Sequence, residues 1–89
     1  MVRVYNTDKG DVLIGQYFVL IDTTMYDIFS EQQSIGEWET YDTQNIEAYV
    51  IADTTTEKMY YLQVFRYTVV TPFEQEEISY SYSLELIED

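Results

Sequence analysis

The chain has 89 residues, with 17 Asp and Glu against 4 Lys and Arg, a net charge of −13, and neither histidine nor cysteine. A single domain over 1–89 is expected, with one modest core burying about 60–65% of its unfolded surface and no second lobe to form a cleft. Without His and Cys there is no Ser-His or Cys-His nucleophile pair, no Cys/His zinc site and no disulfide.

Residues 2–5 read as a short strand, and Asn6-Thr7-Asp8-Lys9-Gly10 as a turn, because Asp and Gly tolerate positive φ. Residues 12–21 are almost continuously apolar and rich in β-branched and aromatic side chains. They predict one strand with Gly15 as a bulge or kink, a helix remaining the alternative. Thr24 followed by Asp27 approximates a capping box, and Met25, Ile28 and Phe29 fall at helical spacing, so a helix is predicted over 25–33. Glu37-Trp38-Glu39-Thr40-Tyr41 alternates acid and aromatic and predicts a short strand with one acidic face. Strands follow at 46–52 and 59–71, joined by the turn Asp53–Lys58, with Pro72 ending the second. An acidic loop at 73–77 leads into 78–86. There Ile78, Tyr80, Tyr82, Leu84 and Leu86 share one face, and Ser79, Ser81, Ser83 and Glu85 the other.

These elements predict an α+β fold, an antiparallel sheet of five or six strands with one short helix. A small β-sandwich or half-barrel is the alternative. The strand at 59–71 is apolar on both faces, so either the sheet curls on itself, with Gly15 as a place to bend, or a partner chain covers one face.

The composition, 46% hydrophobic and 17% aromatic with 10 Tyr, is that of a folded chain and not of an acidic disordered tail. The first residues lack the charged and apolar regions of a secretory leader, and no run approaches the ~18 apolar residues that span a bilayer. A soluble, cytoplasmic protein is expected.

Phosphate-cradling motifs are missing, since the three glycines stand at 10, 15 and 36. At this net charge, direct binding to nucleic acid or to an anionic membrane opposes a strong field. Seventeen acids supply many carboxylate pairs, so no single pair is a signal for catalysis. Asp8-Lys9-Gly10-Asp11 and the 53–57 turn each offer two carboxylates to calcium, but ordinary turns look the same. No enzyme activity, cofactor or metal is expected.

The acidic surface is the leading functional feature. A standard interface of about 800 Å² per partner gathers only two or three evenly spread acids, so recognition needs clusters. The sequence has three: Glu74, Glu76 and Glu77; Glu37, Glu39 and Asp42 around Trp38 and Tyr41; and Asp53 with Glu57. Residues i and i+2 on a strand stand ~6.7 Å apart, close to two phosphate steps of ~3.4 Å along DNA, which suits Glu37 and Glu39 to mimic phosphates. Any one of these acids could equally be a solvated residue that keeps strands from pairing edge to edge. The total of −13 exceeds the magnitude of about 2–8 that solubility asks for, and suggests a use for the charge.

In size and charge the chain resembles the small acidic inhibitors that phages direct against host nucleases, including anti-restriction, anti-CRISPR and uracil-glycosylase inhibitor proteins. The resemblance is compositional and carries no topology. It implies a non-catalytic viral inhibitor in the host cytoplasm, acting as a DNA mimic on a basic nucleic-acid-binding protein such as a nuclease or effector complex. The alternative is a structural or assembly module that forms a homodimer or joins a larger complex through apolar strand faces.

Overall fold

The computed structural model describes residues 2–32 and 43–87. These form seven strands: β1 (Arg3–Thr7), β2 (Gly10–Ile14), β3 (Phe18–Ile21), β4 (Thr24–Glu31), β5 (Thr43–Asp53), β6 (Met59–Val70) and β7 (Glu76–Leu86). Each strand pairs antiparallel with the next, and β1 meets β7 to close a barrel. Seven strands alternating in direction bring the first and last round pointing the same way. The closing seam is therefore parallel, and it consists of one residue pair, Thr7 with Tyr80.

The α+β expectation is overturned, because the described residues contain no helix and the sheet closes further than a half-barrel or sandwich would. The predicted helix at 25–33 coincides with β4. Asp22, at φ 55°, and Thr23 form a two-residue turn that sends the chain back along β3, pairing Ile21 with Thr24. Thr24 is thus the first residue of a strand and not a helix cap. Period two then wins over period 3.6: Tyr26 is buried and Ile28 half-buried, whereas Met25 and Phe29 face out, Phe29 being 73% exposed. The single strand predicted over 12–21 is instead a hairpin, β2–β3, turning at Gly15-Gln16-Tyr17, where the Gly15 N–H donates to the Phe18 carbonyl at 2.8 Å. A Cβ on Gly15 would stand 2.3 Å from the Phe18 ring, so only glycine lets the ring lie across the turn. The strand predicted at 37–41 lies outside the described residues.

Inside the barrel, Val12, Ile14, Val19, Ile51, Leu62 and Val64 are fully buried, each contributing roughly 1.5–3 kcal/mol. Ile21, Tyr26 and Tyr49 complete the core, with Tyr5, Ile28, Tyr60, Tyr82 and Leu84 packed at its edge. Two bulges help a narrow sheet to coil. Phe29 is the extra residue on β4, and Ile46 on β5, where it packs on the core beside the inward-facing Glu47.

The turns β1–β2, β3–β4 and β5–β6 lie at one end of the barrel, and β2–β3 and β6–β7 at the other. Strands β1 to β3 have four or five residues, and β5 accompanies β6 only as far as Tyr67, but β6 has 12 and β7 has 11, paired from Tyr60–Leu86 to Val70–Glu76. The β6–β7 hairpin therefore outruns the barrel as an arm, and the molecule measures 45 × 28 × 24 Å.

Candidate functional site

The tip of the arm gathers the densest acidic cluster. Thr71 organises the turn: its Oγ1 accepts the Phe73 and Gln75 N–H groups at 3.3 and 3.2 Å, and its carbonyl accepts the Glu74 N–H at 2.9 Å. Glu74 takes a left-handed φ of 62°. Glu76 and Glu77, placed by the sequence in a loop, open β7 and point to opposite faces of the arm. All three acids are exposed, and Phe73 beside them is 83% exposed.

Asp53 and Glu57 stand at the far end of β6 from that tip, separated from it by 12 strand residues or roughly 40 Å. The two clusters cannot share one standard interface. Asp53 serves its own turn, its Oδ1 accepting the Thr55 and Thr56 N–H groups at 2.7 and 3.1 Å. Glu57 completes the turn at φ 65°, donating its N–H to the Asp53 carbonyl at 2.9 Å. Glu37, Trp38, Glu39, Tyr41 and Asp42 lie outside the described residues.

The fold makes a grouping the linear clusters concealed. Asp8 and Asp22 occupy the turns at the same end as Asp53 and Glu57, so acids far apart in sequence share one pole. Their proximity is registered at Tyr82, whose hydroxyl pKa is raised by burial first and then by Asp22 and Asp8. Tyr26 is raised likewise by burial first and then by Asp53. Among the described residues, no three His, Cys, Asp or Glu converge in a way that could hold a metal ion.

Sequence reasoning also missed a polar cluster crossing the barrel at the arm end. From β1, Arg3 Nε and Nη2 donate to Glu47 Oε2 and Oε1 at 2.6 and 3.2 Å, and the Tyr5 hydroxyl donates to Oε2 at 2.6 Å. From β5, the Tyr49 hydroxyl donates to Glu47 Oε1 at 2.8 Å and accepts from Arg3 Nη2 at 3.0 Å. Burial opposes the charge on Glu47, but the hydrogen bonds from Arg3, Tyr5 and Tyr49 outweigh it and hold the carboxyl below its usual range. Tyr5 and Tyr49 are each pushed up to about 12, by burial first and then by their bonds to Glu47. Because β1 and β5 are not neighbours in the sheet, this cluster is a clasp that supplements the one-pair seam. The available signal was Glu47 itself, an acid at the inward parity of Tyr49 and Ile51.

The cations are absorbed in the same way. Lys9 Nζ donates to the Tyr82 carbonyl at 3.3 Å and lies 5.6 Å from its ring centroid, while Arg66 bonds Gln44. Among the described residues, Arg3–Glu47 is the single ion pair, and every acid except Glu47 and Asp53 is exposed.

Fold and surface together define a small, strongly acidic closed β-barrel with a projecting hairpin. Comparison with protein-family models, with curated proteins and with solved structures finds no match to this chain. No helix among the described residues is long and apolar enough to cross a membrane.

Proposed function

We propose that this protein is a non-catalytic inhibitor that occupies the basic surface of a nuclease or other DNA- or RNA-binding protein and excludes the polyanion. The observation that carries the reading is the use of charge. Three of the 4 basic residues are engaged within the fold, and almost all described acids face solvent without a counter-charge. Such a field attracts a basic groove from a distance and speeds encounter in a salt-dependent way. The arm tip, with Phe73 among Glu74, Glu76 and Glu77, supplies an aromatic anchor inside an acidic rim, the composition of a specific contact.

The test is a tagged pull-down from nuclease-treated lysate with stepped salt elution, followed by displacement of labelled DNA or RNA from the captured protein. Displacement is expected to weaken far more on Glu74→Gln/Glu76→Gln/Glu77→Gln than on Asp8→Asn/Asp22→Asn/Glu57→Gln. Equal losses from both triples would leave only diffuse charge attraction and sink a localised mimic.

A second reading rests on the outer wall. Val4 pairs with Leu13, Leu13 with Leu20, and Leu20 with Met25, making an apolar row across β1 to β4 in which Val4 and Met25 are 55% and 40% exposed. This row suits assembly into a homodimer or a larger complex. A dimer that persists in about 1 M salt, where charge is screened within ~3 Å, would favour it, and a monomer at micromolar concentration would count against self-assembly.

A further inference from the structure

We infer that the outer edge of β7 along Glu76–Ser79 takes up an extended, basic segment of the partner as an added β-strand. This specifies how the arm would be engaged, and it rests on the reading of the protein as a binder of basic partners. The two halves of that edge differ. β7 pairs with β6 from Glu76 to Leu86, but on its other side it meets β1 only at Tyr80. Beyond Tyr80 the edge is guarded: the Lys9 ammonium caps the outward Tyr82 carbonyl at 3.3 Å and lies against its ring. Before Tyr80, the edge at Glu76–Ser79 has no backbone partner among the described residues, and Glu76, Glu77 and Ile78 are exposed.

Open edges invite strand addition, and proteins usually blunt them with a bulge, a proline, a lysine or a covering loop. Within β7 this stretch holds no bulge, proline or lysine. Its register with β6 runs one-for-one from Val70–Glu76 through Tyr67–Ser79 without a bulge. Strand-adding partners gain affinity from main-chain hydrogen bonds and specificity from alternate side chains. Here the alternation is explicit. Glu76 and Ile78 lie on one face beside Val70 and Thr68, and Glu77 and Ser79 on the other beside Val69 and Tyr67.

Charge decides the occupant. Two copies pairing antiparallel over the full 76–79 edge would set Glu76 opposite Ser79 and Glu77 opposite Ile78, gathering the Glu76 and Glu77 carboxylates of both copies in one short ladder that supplies no cation of its own, and charged edges of one sign resist such pairing. A segment with two adjacent cations presents one to each face, opposite Glu76 and Glu77, and an apolar residue next to them lies over Ile78. The partner element is therefore an extended dibasic step flanked by a β-branched residue.

The probe is the capped peptide Thr-Val-Lys-Lys-Val-Thr, which satisfies the pattern in either strand direction. Its control has the same side chains with every internal amide N-methylated. Saturating peptide is expected to slow hydrogen exchange of outward amides within 76–79 by about tenfold or more and to leave β2 and β3 unchanged. N-methylation is expected to weaken binding by a similar factor, as is Glu76→Gln/Glu77→Gln in the protein. Equal binding of both peptides without new protection at 76–79 would overturn strand addition while leaving a charge-based binder intact. Absence of binding by either peptide at millimolar concentration would overturn it as well. Failure of the broader reading would appear separately, as undiminished displacement of nucleic acid after the three arm acids are neutralised.

Discussion

One face of β6 passes through two environments. Leu62 and Val64 are fully buried in the barrel, and Val70, on the same face of the same strand, is 65% exposed in the arm. Its partner strand repeats the change, with Tyr82 and Leu84 against the core and Ile78 in solvent. The strand runs on, but full burial stops after Val64: Arg66, at the same parity, is exposed opposite Gln44, and beyond Tyr67 β6 has no β5 partner among the described residues. An apolar residue at inward parity is a core residue only if the sheet curls far enough to cover it. Where it does not, the same pattern becomes contact surface.

The sharpest way to break this comparison is to truncate both regions. Leu62→Ala should cost about 2–5 kcal/mol in urea unfolding, because it leaves a cavity in a closed core. Val70→Ala should fall within about 0.5 kcal/mol. Similar losses at both sites would mean the arm is packed like the barrel. Next in size is Gly15→Ala, expected to cost about 1–3 kcal/mol because the new methyl meets the Phe18 ring. Combining it with Phe18→Ala should give less than the sum of the two single losses, a coupling that a double-mutant cycle reads directly.

The clasp is smaller and depends on pH. Glu47→Gln should cost about 1–2 kcal/mol at neutral pH, discounted because the Arg3 side chain is 42% exposed. Because the folded carboxyl titrates below its reference of 4.5, its contribution is complete above that pH and is lost as pH falls through the lower folded value. The stability difference between the parent chain and Glu47→Gln should therefore narrow below about pH 4.5, measured as paired urea midpoints. Tyr5 and Tyr49 act in the opposite sense. Raised from 10.0 to about 12, they contribute fully below pH 10 and lose that contribution as pH rises towards 12. Tyr5→Phe should flatten this alkaline loss. Smallest of all, neutralising Glu74, Glu76 and Glu77 together should shift stability by no more than about 0.5 kcal/mol, upward if at all, since self-repulsion falls. A marked loss would show that these acids hold the arm together.

Much of the second half was legible because alternation there was long and clean. The predicted strands at 46–52, 59–71 and 78–86 fall within or almost wholly within β5, β6 and β7. Two local ambiguities misled the first half. Met25, Ile28 and Phe29 satisfy helical spacing, but Tyr26 and Ile28 satisfy strand spacing, and only the neighbouring β3 decides between them. Gly15 was recognised as a place to bend, but its bend is a full reversal set by the Phe18 ring. For the candidate site, the arm acids were visible as a run. The pole shared by Asp8, Asp22, Asp53 and Glu57 was not, because it depends on which turns fall at the same end. Arg3 and Glu47 are 44 residues apart, and their meeting depends on closure of the barrel.

The parallel seam bears on how the chain folds. Six of the seven pairings join strands adjacent in sequence. Each can form from nearby chain without waiting for the rest, as in folds of low contact order. Docking β1 on β7 instead draws together the two ends of the chain, and its entropic cost grows with the length of loop enclosed. On this ground ring closure is expected to come late in folding. Releasing Thr7 from Tyr80 alone would not free β1, because Arg3 and Tyr5 still hold Glu47 across the barrel, so the clasp does for the closed ring what a longer ladder does at the other six junctions.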